Sequence, residues 1–165
     1  MAQEHNKTIS IKCFTDIQEE AIAHAVITPG MLIERLSTAK VQAHSSAGAN
    51  QEWSFALENE LEGQGIDDDY AADDIVQYKF FRRGDIVNAL LADDSAAVVI
   101  GDLLESNGDG ALKKYVADTA DSDDPITVYP NQIVGMAEEA LDLSGSSGEE
   151  SSGLLNNARI QVRIL

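Results

Sequence analysis

The chain has 165 residues, 44% of them hydrophobic and only 5% aromatic, enough for one domain whose core is built mainly from Ala, Val, Ile and Leu. Its 29 acidic against 11 basic residues give a net charge of −18, which argues against nucleic acid as a partner, because the densest basic cluster is only Lys79, Arg82 and Arg83. One cysteine, Cys13, excludes an internal disulfide framework and a multi-cysteine zinc site; no apolar run approaches the ~20 residues of a membrane span and MAQEHNKTIS carries no apolar signal core, so a soluble chain with no membrane partner is expected.

Residues 1–8 are polar, and Thr8–Phe14 alternates polar and apolar side chains as a strand does. Gln18–Val26, rich in Ala and Glu, predicts a helical turn or loop, so residues 1–27 read as an N-terminal arm and 28–165 as the folded domain. Thr28-Pro29-Gly30 signals a turn, followed by Met31–Glu34 and Ala39–Ala43 as a hairpin or strand pair. After a loop over His44–Glu52, Trp53–Leu57 predicts a strand with Trp53, Phe55 and Leu57 on one face, and Glu58–Asp74 an exposed acidic excursion.

Ile75–Phe81 alternates again and leads into short apolar runs at Ile86-Val87, Ala89–Leu91, Ala97–Ile100, Leu103-Leu104 and Ala111-Leu112. These are punctuated by Gly84-Asp85, Gly101-Asp102 and Asn107-Gly108-Asp109-Gly110, a pattern of strands in tight connections. Ala117–Pro125 reads as an acidic loop, Ile126–Tyr129 as a strand, Pro130–Gln132 as a turn and Ile133–Leu143 as a strand despite its helix formers. Ser144–Gly153 is low in complexity and predicts a flexible segment. Ala158–Leu165 alternates strictly, which buries Ile160, Val162 and Ile164, exposes Arg159, Gln161 and Arg163, and makes it the strand expected to close a barrel or sandwich. The fold class is therefore all-β.

Arg83-Gly84-Asp85 spells an adhesion tripeptide, but Gly-Asp before an apolar run is also what a tight turn into a strand needs, and that reading is preferred. Glu105–Gly110 begins like a calcium loop, with oxygen side chains at alternate positions and glycine at the sixth, yet its twelfth position is Val116 where a bidentate Glu is required. A hairpin turn is expected instead. The acidic groups Asp67-Asp68-Asp69, Asp73-Asp74 and Asp121, Asp123 and Asp124 read as solvated loops. His5, His24 and His44 are isolated and no serine or cysteine stands at nucleophile spacing, so neither an enzyme, a metal site nor a cofactor is expected.

The order of these segments resembles the small β-barrel capsid decoration, or cement, proteins of tailed viruses. The likeness is carried by Phe55–Glu58, by Gly65–Asp68 with Tyr70, by Arg83–Leu91, by Gly101–Gly110 and by Ile133–Gly135 with Ala137 and Ala140. It implies a compact β-barrel or β-tulip-like domain with an N-terminal arm and acidic loops. It further implies a homotrimer on the capsid exterior, assembled in the host cytoplasm, that clamps neighbouring major capsid subunits; a carbohydrate- or ion-binding β module of a virion fibre is the alternative. Within that picture Ile9, Ile11 and Phe14 of the arm are the expected capsid contacts. The subunit seam is expected near Trp53, Phe55, Tyr78, Phe80 and Phe81, with Arg82 and Arg83 facing acidic loops of a neighbour. The charge adds a salt-loving host, such as a haloarchaeon, since at ~1 M salt the Debye length falls to about 3 Å and self-repulsion is screened.

Overall fold

The computed structural model describes residues 6–14, 17–93, 96–117, 129–145 and 158–165. Among them the fold is all-β, with a single short 3-10 turn at Glu60–Glu62 and no α-helix. The strands are β1 (Ser10–Lys12), β2 (Gln18–Ile22), β3 (Ile33–Arg35), β4 (Val41–Ala43), β5 (Ser54–Ala56), β6 (Ile75–Phe80), β7 (Ile86–Leu90), β8 (Leu103–Ser106), β9 (Leu112–Lys114), β10 (Ile133–Ala137) and β11 (Arg159–Ile164). The strand expected at Ile126–Tyr129, the flexible segment after Gly145, the acidic loop beyond Ala117 and His5 lie outside the described residues, apart from Tyr129 itself, which is exposed.

Six strands form one antiparallel sheet in the order β1-β7-β11-β10-β8-β9. The sheet curls until its far edge meets its beginning: Leu91, just past β7, bridges Leu112 of β9, and the Ala92 N–H donates to the Leu112 carbonyl at 2.8 Å. The barrel is therefore closed by β9 against the end of β7. Strand β11, expected to close it, instead lies inside the sheet between β7 and β10, pairing Arg159↔Leu90 through Arg163↔Ile86 on one side. Its strict alternation is that of a strand with one face on the core, a property that interior and closing strands share.

Gly135 makes the curl possible. The register between β8 and β10 slips at this residue, and a methyl group here would meet Val162 Cγ1 at 2.6 Å and collide with the Arg163 carbonyl oxygen. Ile9, Val87, Leu104, Leu112, Val162 and Ile164, each fully buried, fill the barrel with small and branched side chains, as the low aromatic content demands.

A second sheet, β2-β6-β5, and the β3-β4 hairpin pack beside the barrel over their own cluster of Ile27, Ile33, Val41, Tyr70, Val76 and Tyr78. Bridges Ala23↔Val41 and Leu32↔Phe55 join the hairpin to this sheet. Here Gln18–Ile22, expected as a helical turn or loop, is a strand whose five residues pair with β6, from Gln18↔Lys79 to Ile22↔Ile75. Helix propensity loses because the edge of β6 offers five partners and the small Ala21 and Ala23 fit against the cluster.

One local device recurs. In four turns an aspartate donates its N–H to the carbonyl three residues back and accepts that residue's N–H on its carboxylate: Asp68 with Gly65, Asp74 with Ala71, Asp85 with Arg82 and Asp102 with Val99. In three of the four turns the residue before the aspartate has a positive φ: glycine supplies it without strain at Gly84 (94°) and Gly101 (93°), while Asp73 (71°) adopts it before Asp74. Three of these turns launch strands β6, β7 and β8, so the Gly-Asp steps are strand punctuation.

Candidate assembly surfaces

The Arg83-Gly84-Asp85 tripeptide is unavailable for adhesion because Asp85 is fully buried. Its carboxylate accepts the N–H of Phe14 at 3.0 Å and of Arg82 at 2.8 Å, and the Cys13 thiol lies 3.4 Å away. A buried carboxylate satisfied by backbone donors fixes the chain around it. Here it draws the segment after β1 onto the turn before β7, so that Phe14, Arg82 and Arg83 stand together at one end of the molecule. Phe14 is 85% exposed, Ile17 beside it 41%, and both arginines are exposed. Among the described residues neither arginine forms an ion pair.

The other expected contact residues are placed differently. Ile9 is buried in the barrel core, its N–H donating to the buried Glu58 carboxylate at 3.1 Å, while Ile11 and Trp53 are half-buried. Phe55 and Phe81 are core residues in edge-to-face contact at 5.7 Å, and Tyr78 meets Phe80 similarly at 5.6 Å. The Arg35 guanidinium covers Phe80, 5.4 Å from the ring centre, and pairs with Glu52 at 3.3 Å. The Tyr78 hydroxyl donates to Glu19 at 2.7 Å, and burial pushes its pKa up to about 12. Phe55 and Phe81 thus bring the smaller sheet's strand β5 and the end of β6 into the barrel's cluster, while Tyr78 and Phe80 pack in the smaller sheet's own cluster.

The calcium-like segment is the β8-β9 hairpin. Asp109 accepts the Ala111 N–H and the Asn107 amide, both at 2.9 Å, and Glu105 takes the Gln132 amide at 2.7 Å with Lys113 at 3.8 Å. Among the described residues no three His, Cys, Asp or Glu side chains are grouped so as to hold a metal ion.

Two clefts carry residues that the sequence did not mark. The first, about 530 Å³, lies between Glu34, Arg35, Glu52 and Pro130 with the buried His44 in its wall. His44 Nε2 faces the Asn50 carbonyl at 3.1 Å and Nδ1 faces the Ser106 hydroxyl at 2.8 Å, which fits a ring protonated on Nε2 that accepts from Ser106. With Glu34 4.0 Å away the three residues have the order of a serine hydrolase triad, but Ser106 is fully buried and its oxygen already takes the Gly108 N–H. The line ties the loop after β4 to the β8-β9 hairpin.

The second cleft, about 300 Å³, lies at the Ile75 end of β6 and is lined by Glu20, Asn59, Glu62, Asp74, Tyr70 and the exposed Leu61 and Ile75, with no cationic side chain. Tyr70 donates its hydroxyl to the Leu57 carbonyl at 2.9 Å, and burial pushes its pKa up to about 12. Asn59 is only 8% exposed and its side-chain oxygen has no hydrogen-bond partner. These positions come together through the chain's return from Glu58 to Ile75, which no local pattern signals.

No protein-family model matches the chain, and no curated protein matches it. Among solved structures the fold is similar to the N base of head fiber gp8.5 in bacteriophage phi29, with a TM-score of 0.50 and 12% sequence identity over 90% of this chain and 93% of that one. At this identity the likeness is one of fold.

Proposed function

We propose that this chain is a non-catalytic structural protein of a tailed-virus particle, a decoration or cement protein that binds the outer surface of the head and stabilises contacts between major capsid subunits. The observation that carries this reading is the likeness, along nearly the whole chain, to the base of a phage head fibre. The resemblance of its turn and strand signatures to decoration proteins supports the same role. Such a protein adds contact area across capsid seams without chemistry, and self-association, as the proposed homotrimer, multiplies weak contacts into avidity. The net charge of −18 suits a particle that assembles in concentrated salt, as in a haloarchaeal host.

Mass spectrometry of purified particles tests the reading. The chain is expected among the virion proteins, and particles lacking it are expected to lose resistance to heat or to dilution of salt; its absence from purified particles would overturn the role. Because the structural neighbour is part of a fibre, a carbohydrate- or ion-binding module borne on a virion fibre is the second reading. Saturable heat on titration with sugars or calcium is its signature.

A further inference from the structure

Two surfaces of this chain complement each other. They lie at opposite ends of β6, whose six residues set them roughly 20 Å apart. At the Phe80 end stand Arg82 and Arg83 beside Phe14. Among the described residues Arg35, Lys40, Lys113, Lys114, Arg159 and Arg163 are paired with carboxylates of the chain itself, whereas Arg82 and Arg83, like Lys7 and Lys12, are exposed and form no ion pair. The two arginines are the adjacent pair of such cations beside an exposed aromatic ring. At the Ile75 end is the cleft with three carboxylates, Glu20, Glu62 and Asp74, and the buried Asn59 whose side-chain oxygen lacks a donor. Each surface also exposes apolar side chains next to its charges, Phe14 at 85% on one and Leu61 at 86% with Ile75 at 59% on the other.

We propose that the arginine end of one copy docks in the acidic cleft of the next, a guanidinium of Arg82 or Arg83 entering between Glu20 and Glu62 while Phe14 covers Leu61 and Ile75. The planar, multi-donor guanidinium suits a cleft of carboxylate and amide oxygens. A second copy is the occupant because both halves of the contact are present on this one chain. The contact joins different faces of two copies, so it is heterologous and builds a ring where the rotation closes. This deepens the self-association put forward above and rests on it.

The test uses the full chain in ~1 M KCl, where repulsion between two highly acidic copies is screened to a range of about 3 Å while a direct contact persists. Sedimentation velocity on wild type is compared with the double variant Arg82→Glu/Arg83→Glu and with Glu20→Lys/Glu62→Lys. Asp74 is left intact because it closes the turn at Ala71. Each variant is expected to weaken association at least tenfold with an unchanged melting temperature, and mixing the two is expected to restore a mixed complex through the swapped charges. Variants that assemble as wild type does would overturn this contact alone. Wild type that stays monomeric at every concentration would remove the contact and self-association together, while the presence of the chain on particles is decided separately by mass spectrometry.

Discussion

The barrel and the two ends of β6 handle charge in opposite ways. On the barrel, charged groups are paired in place: Lys114 with Asp102 at 2.8 Å, Lys113 with Glu105, Arg163 with Glu138 at 2.5 Å, and the buried Arg159. At the two ends of β6, arginines and carboxylates of opposite sign stand apart and exposed beside apolar side chains. Charge used locally stabilises a fold, whereas charge left open is available to a partner. Substitutions on the barrel are therefore expected to move stability, and substitutions at the ends of β6 to move association.

The largest effect is expected at Arg159. Its side chain is only 6% exposed, donates to the carbonyls of Pro29 (3.1 Å) and Ile66 and pairs with Asp67 at 2.7 Å, thereby tying barrel strand β11 to the acidic excursion. The alternation of Ala158–Leu165 predicts it exposed. It is buried because the Pro29 turn and the Ile66-Asp67 segment fold over the outer face of β11 at this point. Arg159→Ala leaves buried carbonyls without donors and should cost about 3–5 kcal/mol, whereas Asp67→Ala, at a side chain 74% exposed, should cost under ~1 kcal/mol. Urea titration of both variants checks the contrast; equal losses would mean that the ion pair, not the carbonyl contacts, holds the two regions together.

Next is Gly135→Ala. The added methyl meets Val162 Cγ1 at 2.6 Å and the neighbouring strand's backbone, which has no flexible end to move aside. A cost of about 2–3 kcal/mol, or roughly 4–12 °C in melting temperature for a chain of this size, is expected by calorimetry. An unchanged melting temperature would show that the barrel tolerates a wider β10-β11 spacing, making it the looser of the two regions.

These two residues mark what the sequence made legible. The strands β7 to β9 and the strand at the C-terminus were readable because glycine turns and period-two alternation are local signals, and the repeated aspartate turns left their trace as Gly-Asp steps. The run Ala97–Ile100, expected as a strand, instead makes one bridge from Val98 to Leu141 and then enters the Val99–Asp102 turn with Val99 and Ile100 exposed, because the turn that launches β8 takes up its second half. The strand at Gln18–Ile22 was not, since its Ala and Glu content says helix and only the distant edge of β6 decides otherwise. Of the surface residues, Phe14, Arg82 and Arg83 were legible as an aromatic and two cations in a highly acidic chain. Their assembly at one end depends on Asp85, 71 residues from Phe14 in sequence. The aromatics Phe55, Tyr78 and Phe81 stood out for the same compositional reason but pack inside, because in a lean core the few large rings are needed to fill it.

The smallest effect concerns pH and returns to charge on the barrel. The hydrogen bond from Arg163 holds the Glu138 carboxyl below its ordinary value of 4.5, outweighing desolvation, across the paired strands β10 and β11. A carboxyl whose folded pKa is depressed contributes stability that is fully present above the unfolded pKa and is lost as pH falls through the folded one. The stability difference between wild type and Glu138→Gln should therefore be constant above about pH 5.5, shrink below about pH 4.5 and vanish once the folded carboxyl is protonated. Protonating the many other carboxylates relieves self-repulsion over the same range in both proteins, so only the difference between their melting temperatures isolates the pair. A difference that persists undiminished at pH 2 would show that Glu138 acts through packing rather than charge, and would weaken the distinction between a barrel that uses its charges and a β6 axis that leaves them open.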